Sequence, residues 1–72
     1  MAGNQDSKAK VKLVSVSAAG AIFVVAFASG IIEIRDCEGE DPERVRASIA
    51  VRPDVASTLA AALNEAAALA SG

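Results

Sequence analysis

The chain has 72 residues, of which 53% are hydrophobic and 22% charged, with a formal net charge of −2 and no histidine. A chain of this length forms at most one small domain, and its composition is not that of a disordered protein. The weak negative charge gives no basic field for nucleic acid, and histidine, the commonest general base, is absent. No catalytic, cofactor or metal motif is found. We therefore expect a protein that is not an enzyme, takes no cofactor and binds no nucleic acid.

Residues 1–10 (MAGNQDSKAK) are polar and show no apolar period. Such a segment predicts a flexible N-terminal leader, because it has nothing to bury against a core. A single small α+β domain is then expected over residues 11–72.

Residues 13–32 (LVSVSAAGAIFVVAFASGII) form an uncharged run, for which two interpretations compete. About 20 apolar residues span a bilayer, so the run could be one helix of a single-pass small membrane protein, in the inner membrane, with Lys8, Lys10 and Lys12 before it. We favour strands buried in a sheet, because Ser17 and Gly20 fall where turns are expected and no Trp or Tyr marks a membrane interface.

The segment 21–28 (AIFVVAFA) predicts a central strand that is apolar on both faces. Alternation places three of its large side chains on one face and two on the other: Phe23, Val25 and Phe27, then Ile22 and Val24. One helix can cover only one face of a sheet. We therefore predict that a second copy covers the other, in a homodimer or larger homo-oligomer whose interface contains these five residues.

The next strand starts near Ile31, where Ile32 and Ile34 alternate with Glu33 and Arg35. This pattern predicts that Glu33 and Arg35 face water and can meet arginines across a hairpin. The strand after the hairpin is expected over residues 45–51, where apolar residues again alternate with polar ones.

An acidic connection joins these two strands and contains Asp36, Glu38, Glu40, Asp41 and Glu43. A solvated hairpin loop is the favoured interpretation, with the nearby arginines neutralising part of its charge. The same carboxylates are the candidate contacts for a partner protein. Their spacing does not match a calcium-binding loop, so no metal site is expected.

Cys37 is the single cysteine of the chain, and it lies among these carboxylates. Their negative field disfavours a reactive thiolate, so a structural cysteine is expected and an intermolecular disulfide is the alternative. A lone cysteine fits the reducing cytoplasm, which is the expected location.

Pro53 predicts the start of a C-terminal helix, because proline is well placed in a first helical turn. Val55, Leu59 and Leu63 begin one apolar stripe along it. The many alanines have two explanations that the sequence leaves open. They raise helix propensity, and they would also allow close contact with a helix of a second chain.

Two segments carry a resemblance, namely FVVAF at residues 23–27 and VRASIAVRPDVASTLAAALNEA at 45–66. With the polar hairpin between them they resemble an uncharacterised family of small bacterial proteins. That family has a β-meander and a terminal helix, and the resemblance implies no activity. The residue pattern of this chain itself predicts an α+β fold, a β-meander of three to four antiparallel strands with one C-terminal helix packed on one face. Since a second sheet face and an acidic loop are left for a partner, we expect a non-enzymatic protein–protein interaction module, such as an accessory or inhibitory protein.

Overall fold

The computed structural model of the chain describes residues 9–72. Its elements are four strands, β1 (Lys10–Ser17), β2 (Gly20–Ala26), β3 (Ile32–Cys37) and β4 (Val45–Val51), followed by one helix, α1 (Pro53–Ser71). The strands form one antiparallel sheet in the order β1-β2-β3-β4. The predicted α+β meander with a C-terminal helix is confirmed. Most of the predicted leader falls on residues 1–8, outside the described residues.

Residues 13–32 lie in β1, in β2, in the connections that follow these strands and in the first residue of β3, and not in a helix. The turn between the two strands is made by Ala18 and Ala19, as the small residues there predicted, and the amide of Ala19 donates to the Ser17 hydroxyl at 3.2 Å. Within residues 9–72 we find no helix whose length and hydropathy would suit a membrane crossing.

The sheet has two faces that differ in what covers them. We call one the core face, defined by Ala21, Phe23, Val25 and Cys37, which are all buried. We call the other the helix face, defined by Ile22, Val24, Ile32 and Ile34, which are all half-buried. Register fixes this division, because Phe23 pairs with Arg35 and Val24 with Ile34, and paired residues share a face.

A bulge at Val14 explains why β1 alternates poorly in sequence. Leu13 pairs with Phe23, but Ser15 already pairs with Ile22, so Val14 is an extra residue. An extra residue shifts the side-chain alternation of everything beyond it. As a result Leu13 lies on the core face and Ser15 on the helix face, although both have the same parity in the chain.

A second bulge lies on β4. Asp36 pairs with Ala47 and Cys37 with Val45, which leaves Arg46 as the extra residue. The same register places Ala50 opposite Glu33 and Ser48 opposite Arg35. The expected contacts of Glu33 and Arg35 with arginines across the hairpin are therefore not formed.

Glu33 and Arg35 are also less exposed than predicted. Their side chains are only 28% and 16% exposed, because they lie on the core face beside Val25 and Phe23. Arg35 Nε donates to Glu33 Oε1 at 2.7 Å. The two charges neutralise each other, which lets both side chains cover apolar neighbours.

Helix α1 begins at Pro53, as predicted, and has 19 residues. The amide of Ala56 donates to the Arg52 carbonyl at 2.8 Å, and Asp54 places a carboxylate in the first turn. None of its residues is buried. Ala56 and Leu59 are half-buried and the remaining helical residues are exposed, so the helix only partly covers the sheet.

Candidate interaction surface

The acidic loop is partly neutralised by two arginines that flank it. Arg46 Nη2 donates to Asp36 Oδ1 at 2.9 Å, and Arg44 Nη2 donates to Glu38 Oε1 at 2.7 Å. All four side chains are between 42% and 65% exposed, so each pair adds little to stability. This agrees with the predicted role of these arginines as local counter-charges.

The remaining acids of the loop have no cation within ion-pair distance among the described residues. Asp41 Oδ1 accepts a hydrogen bond of 2.9 Å from the amide of Glu43, which shapes the turn. Glu40 and Glu43 are exposed, with their charge directed at solvent. The residues available to a basic partner are therefore Glu40, Asp41 and Glu43.

No group of three or more His, Cys, Asp or Glu residues in the described part of the chain is arranged to hold a metal ion. The carboxylates of the loop diverge toward separate partners, since Asp36 and Glu38 each bind an arginine. The arrangement suits contact with another macromolecule better than coordination of an ion.

Cys37 is a free cysteine that is fully buried at the end of β3. Its sulfur lies 3.8 Å from the main-chain carbonyl of Pro42, which belongs to the acidic loop. Because no part of Cys37 reaches the surface, a partner thiol cannot attack it in the folded chain. The burial of Cys37 therefore favours a structural role over an intermolecular disulfide.

The structure divides the five residues of the predicted interface into two groups. Phe23 and Val25 are 7% and 2% exposed within one chain, so no second copy is needed to cover them. Phe27, the third residue predicted for this side, is half-buried, and the guanidinium carbon of Arg35 lies 5.9 Å from the centroid of its ring. Phe27 follows the end of β2, where its carbonyl accepts from Gly30 at 2.9 Å.

Ile22 and Val24, the other two, lie on the helix face and are half-buried. Here the cover is incomplete. A groove of about 300 Å³ separates the first half of α1 from the sheet, and its lining is almost wholly apolar. The residues that line it are Val24, Ile32, Ile34, Ala56, Leu59, Ala60 and Leu63.

A second, shallower groove of about 240 Å³ continues from the first one toward β4. Ile34 borders both grooves, so they adjoin on the helix face, and we call the two together the channel; Asp36 and Ser48 also line the second groove. Its β4 side is formed by Ala47 and Ile49, and Ile49 is 54% exposed although it is a large aliphatic residue. The helix face thus remains open over the β4 half of the sheet.

The second half of α1 is uncovered as well. Every residue from 64 to 71 is exposed, and Leu69 is 82% exposed. Val55 and Leu63 are 49% and 59% exposed. The predicted interface did not include Ile49 or these helical residues, although the alternation of β4 and the apolar stripe of the helix were visible in the sequence.

No family model matches the chain, and none of the curated proteins or solved structures shows significant similarity to it.

Proposed function

We propose that the chain is a non-enzymatic protein–protein interaction module that acts as a homo-oligomer in the cytoplasm, as an accessory or inhibitory protein. The observation that carries the proposal is the 19-residue helix without a single buried residue, beside an open apolar channel. A helix in a small domain normally buries an apolar stripe. Here the apolar stripe of α1 and the channel are both left open, and we propose that a partner covers them.

The magnitude of the exposed apolar surface supports association. Nine large aliphatic side chains are between 41% and 82% exposed: Val11, Leu13, Val14, Val16, Val45, Ile49, Val55, Leu63 and Leu69. Burying one such side chain completely stabilises a protein by about 1.5–3 kcal/mol. Four of these, Ile49 on the helix face and Val55, Leu63 and Leu69 on α1, are on the helix side of the sheet. Covering them is therefore worth several kcal/mol, comparable to the roughly 5–15 kcal/mol that stabilises a whole domain.

A second copy is the partner that we propose for this surface, because two-fold symmetry lets one patch meet itself. A different protein is proposed for the acidic loop, where Glu40, Asp41 and Glu43 leave negative charge free for a basic surface. The loop lies at the end of the sheet where β3 ends and β4 begins. Self-association through the helix face would therefore leave the loop accessible.

Light scattering coupled to gel filtration tests the proposal. We expect a discrete species of at least twice the chain mass of 7.2 kDa. A particle of 7.2 kDa at every concentration up to the millimolar range would contradict self-association. Circular dichroism of the same samples should show mixed strand and helix, which ensures that the folded chain is being measured.

A further inference from the structure

The two halves of α1 have different surroundings. The first half lies over the helix face, where Ala56, Leu59, Ala60 and Leu63 line the channel. The second half, from Asn64 to Ser71, contains no residue of that channel and is exposed throughout. The helix is continuous over both halves, so the second half stands free.

We propose that the second half of α1 covers the open β4 half of the helix face on a second copy, with the two helices antiparallel about a two-fold axis near Ala62. This inference rests on the proposed self-association and specifies how it occurs. Each sheet would then be covered by the first half of its own helix and by the second half of the helix of the other copy.

The sizes of the two surfaces match. Eight helical residues, 64–71, extend about 12 Å. The open strip of β4 from Ala47 to Val51 extends about 14 Å. A standard interface buries about 800 Å² of each partner, more than two helices alone would cover, so the channel has to take part in the contact.

The positions along α1 are self-complementary. At about 100° per residue, Val55, Ala62, Ala66 and Leu69 fall on one flank of the helix, beside the residues that line the channel. An antiparallel pair centred on Ala62 places Val55 of one copy opposite Leu69 of the other. The large side chains meet at both ends, and the alanine at the centre lets the helices approach closely.

The charges of α1 and the antiparallel orientation of the two helices favour the same arrangement. The helix has no basic residue, and its two acids, Asp54 and Glu65, fall on the arc away from the channel. The charge that the contact reaches is Asp36, which lines the second groove and is neutralised by Arg46, so the second copy otherwise meets an apolar surface with an apolar one. Antiparallel helices also oppose their dipoles, and they place the two sheets at opposite ends, where they do not collide.

Single cysteines introduced into the helix test this geometry, because the native Cys37 is fully buried. Under mild oxidation, Ala62→Cys should form a disulfide-linked dimer at least tenfold more than Ala61→Cys, a matched variant whose side chain faces solvent. A refolded mixture of Val55→Cys and Leu69→Cys should cross-link between the two variants, whereas neither should cross-link with itself. Equal cross-linking of Ala62→Cys and Ala61→Cys would overturn the proposed arrangement.

Mass measurements on further variants separate the arrangement from self-association itself. Leu69→Glu should raise the dissociation constant at least tenfold, and Ile49→Glu should do the same. Ala68→Glu, on the solvent side of α1, should not change it. An oligomeric wild-type protein whose mass is unaffected by Leu69→Glu would overturn this contact but leave the proposed function standing. A monomeric wild-type protein would overturn both.

Discussion

Arg35 Nη1 donates a hydrogen bond of 3.0 Å to the main-chain carbonyl of Pro42, and this contact ties the acidic loop to the sheet. The same side chain pairs with Glu33 and is only 16% exposed. Arg35→Met should therefore lower the free energy of unfolding by about 2 kcal/mol, because it leaves the Glu33 carboxylate partly buried without its partner. Urea denaturation measures this loss. Arg44→Ala, which removes an exposed ion pair, should cost less than about 0.5 kcal/mol. Equal losses in the two variants would contradict the anchoring role of Arg35.

Gly20 begins β2 with a φ of 141°, and it is packed against its neighbours. A Cβ atom there would collide with the main-chain carbonyl of Cys37 and lie 2.6 Å from Nη2 of Arg46. We expect Gly20→Ala to cost more than about 2 kcal/mol, since backbone strain and collision add. Gly39→Ala is the control, because its φ of 60° brings strain but no atom lies within 4 Å of the added Cβ. It should cost about 1 kcal/mol. Thermal unfolding of both variants gives the comparison.

Val25 and Val14 show the difference between the core and the sheet edge. Val25 is 2% exposed on the core face, whereas Val14 is 58% exposed at the β1 bulge. Val25→Asp should unfold the chain, because it buries an unpaired carboxylate. Val14→Lys should change stability by less than about 0.5 kcal/mol, as is usual for an exposed position. Circular dichroism at 25 °C distinguishes the two results, and a folded Val25→Asp variant would show that the core face is not closed.

The Cys37 thiol provides a direct probe of the core. Since it is fully buried, a water-soluble thiol reagent should modify it only when the chain opens. We expect modification in native buffer at least about a hundredfold slower than in denaturing urea, on the basis that the folded state excludes the reagent. Rapid modification of the folded protein would mean that the end of β3 is accessible.

Charge reversal in the loop tests the proposal that it binds another protein. Glu40→Lys with Glu43→Lys should abolish capture of a basic partner while leaving fold and self-association unchanged, because neither side chain is paired within residues 9–72. Glu65→Lys on α1 is a matched control that should retain the partner. Affinity capture followed by mass spectrometry compares the three proteins. If the double variant and the control captured the same proteins, the loop would not be a contact site.

The sequence predicted the elements of this fold well, because each one has a strong local signal. Ser17 and Gly20 bracket the first hairpin, and Pro53 begins the helix. Predictions of register were less accurate. The extra residues at Val14 and Arg46 could not be recognised from alternation, since each bulge reverses the side-chain pattern beyond it.

The burial of Phe23 and Val25 within a single chain could not be predicted from the sequence, and the reason is physical. The register pairs Arg35 with Phe23, and a charged residue in that position suggests a face in water. Its pairing with Glu33 and its long aliphatic stem allow Arg35 to lie against apolar neighbours instead, with its guanidinium over the Phe27 ring. The exposure of Leu69 could not be predicted from the apolar stripe of α1, because the stripe does not show how far the helix extends beyond the sheet.

Both outer strands of the sheet carry a bulge, β1 at Val14 and β4 at Arg46, and the exposed Lys12 adds positive charge to β1. A strand approaching either edge would meet a bulged strand, and on β1 also a cation, which are features that prevent edge-to-edge growth. Contact through the helix face closes on itself when it is two-fold. The same chain that exposes so much apolar surface should consequently form particles of fixed size at high concentration, and not fibrils.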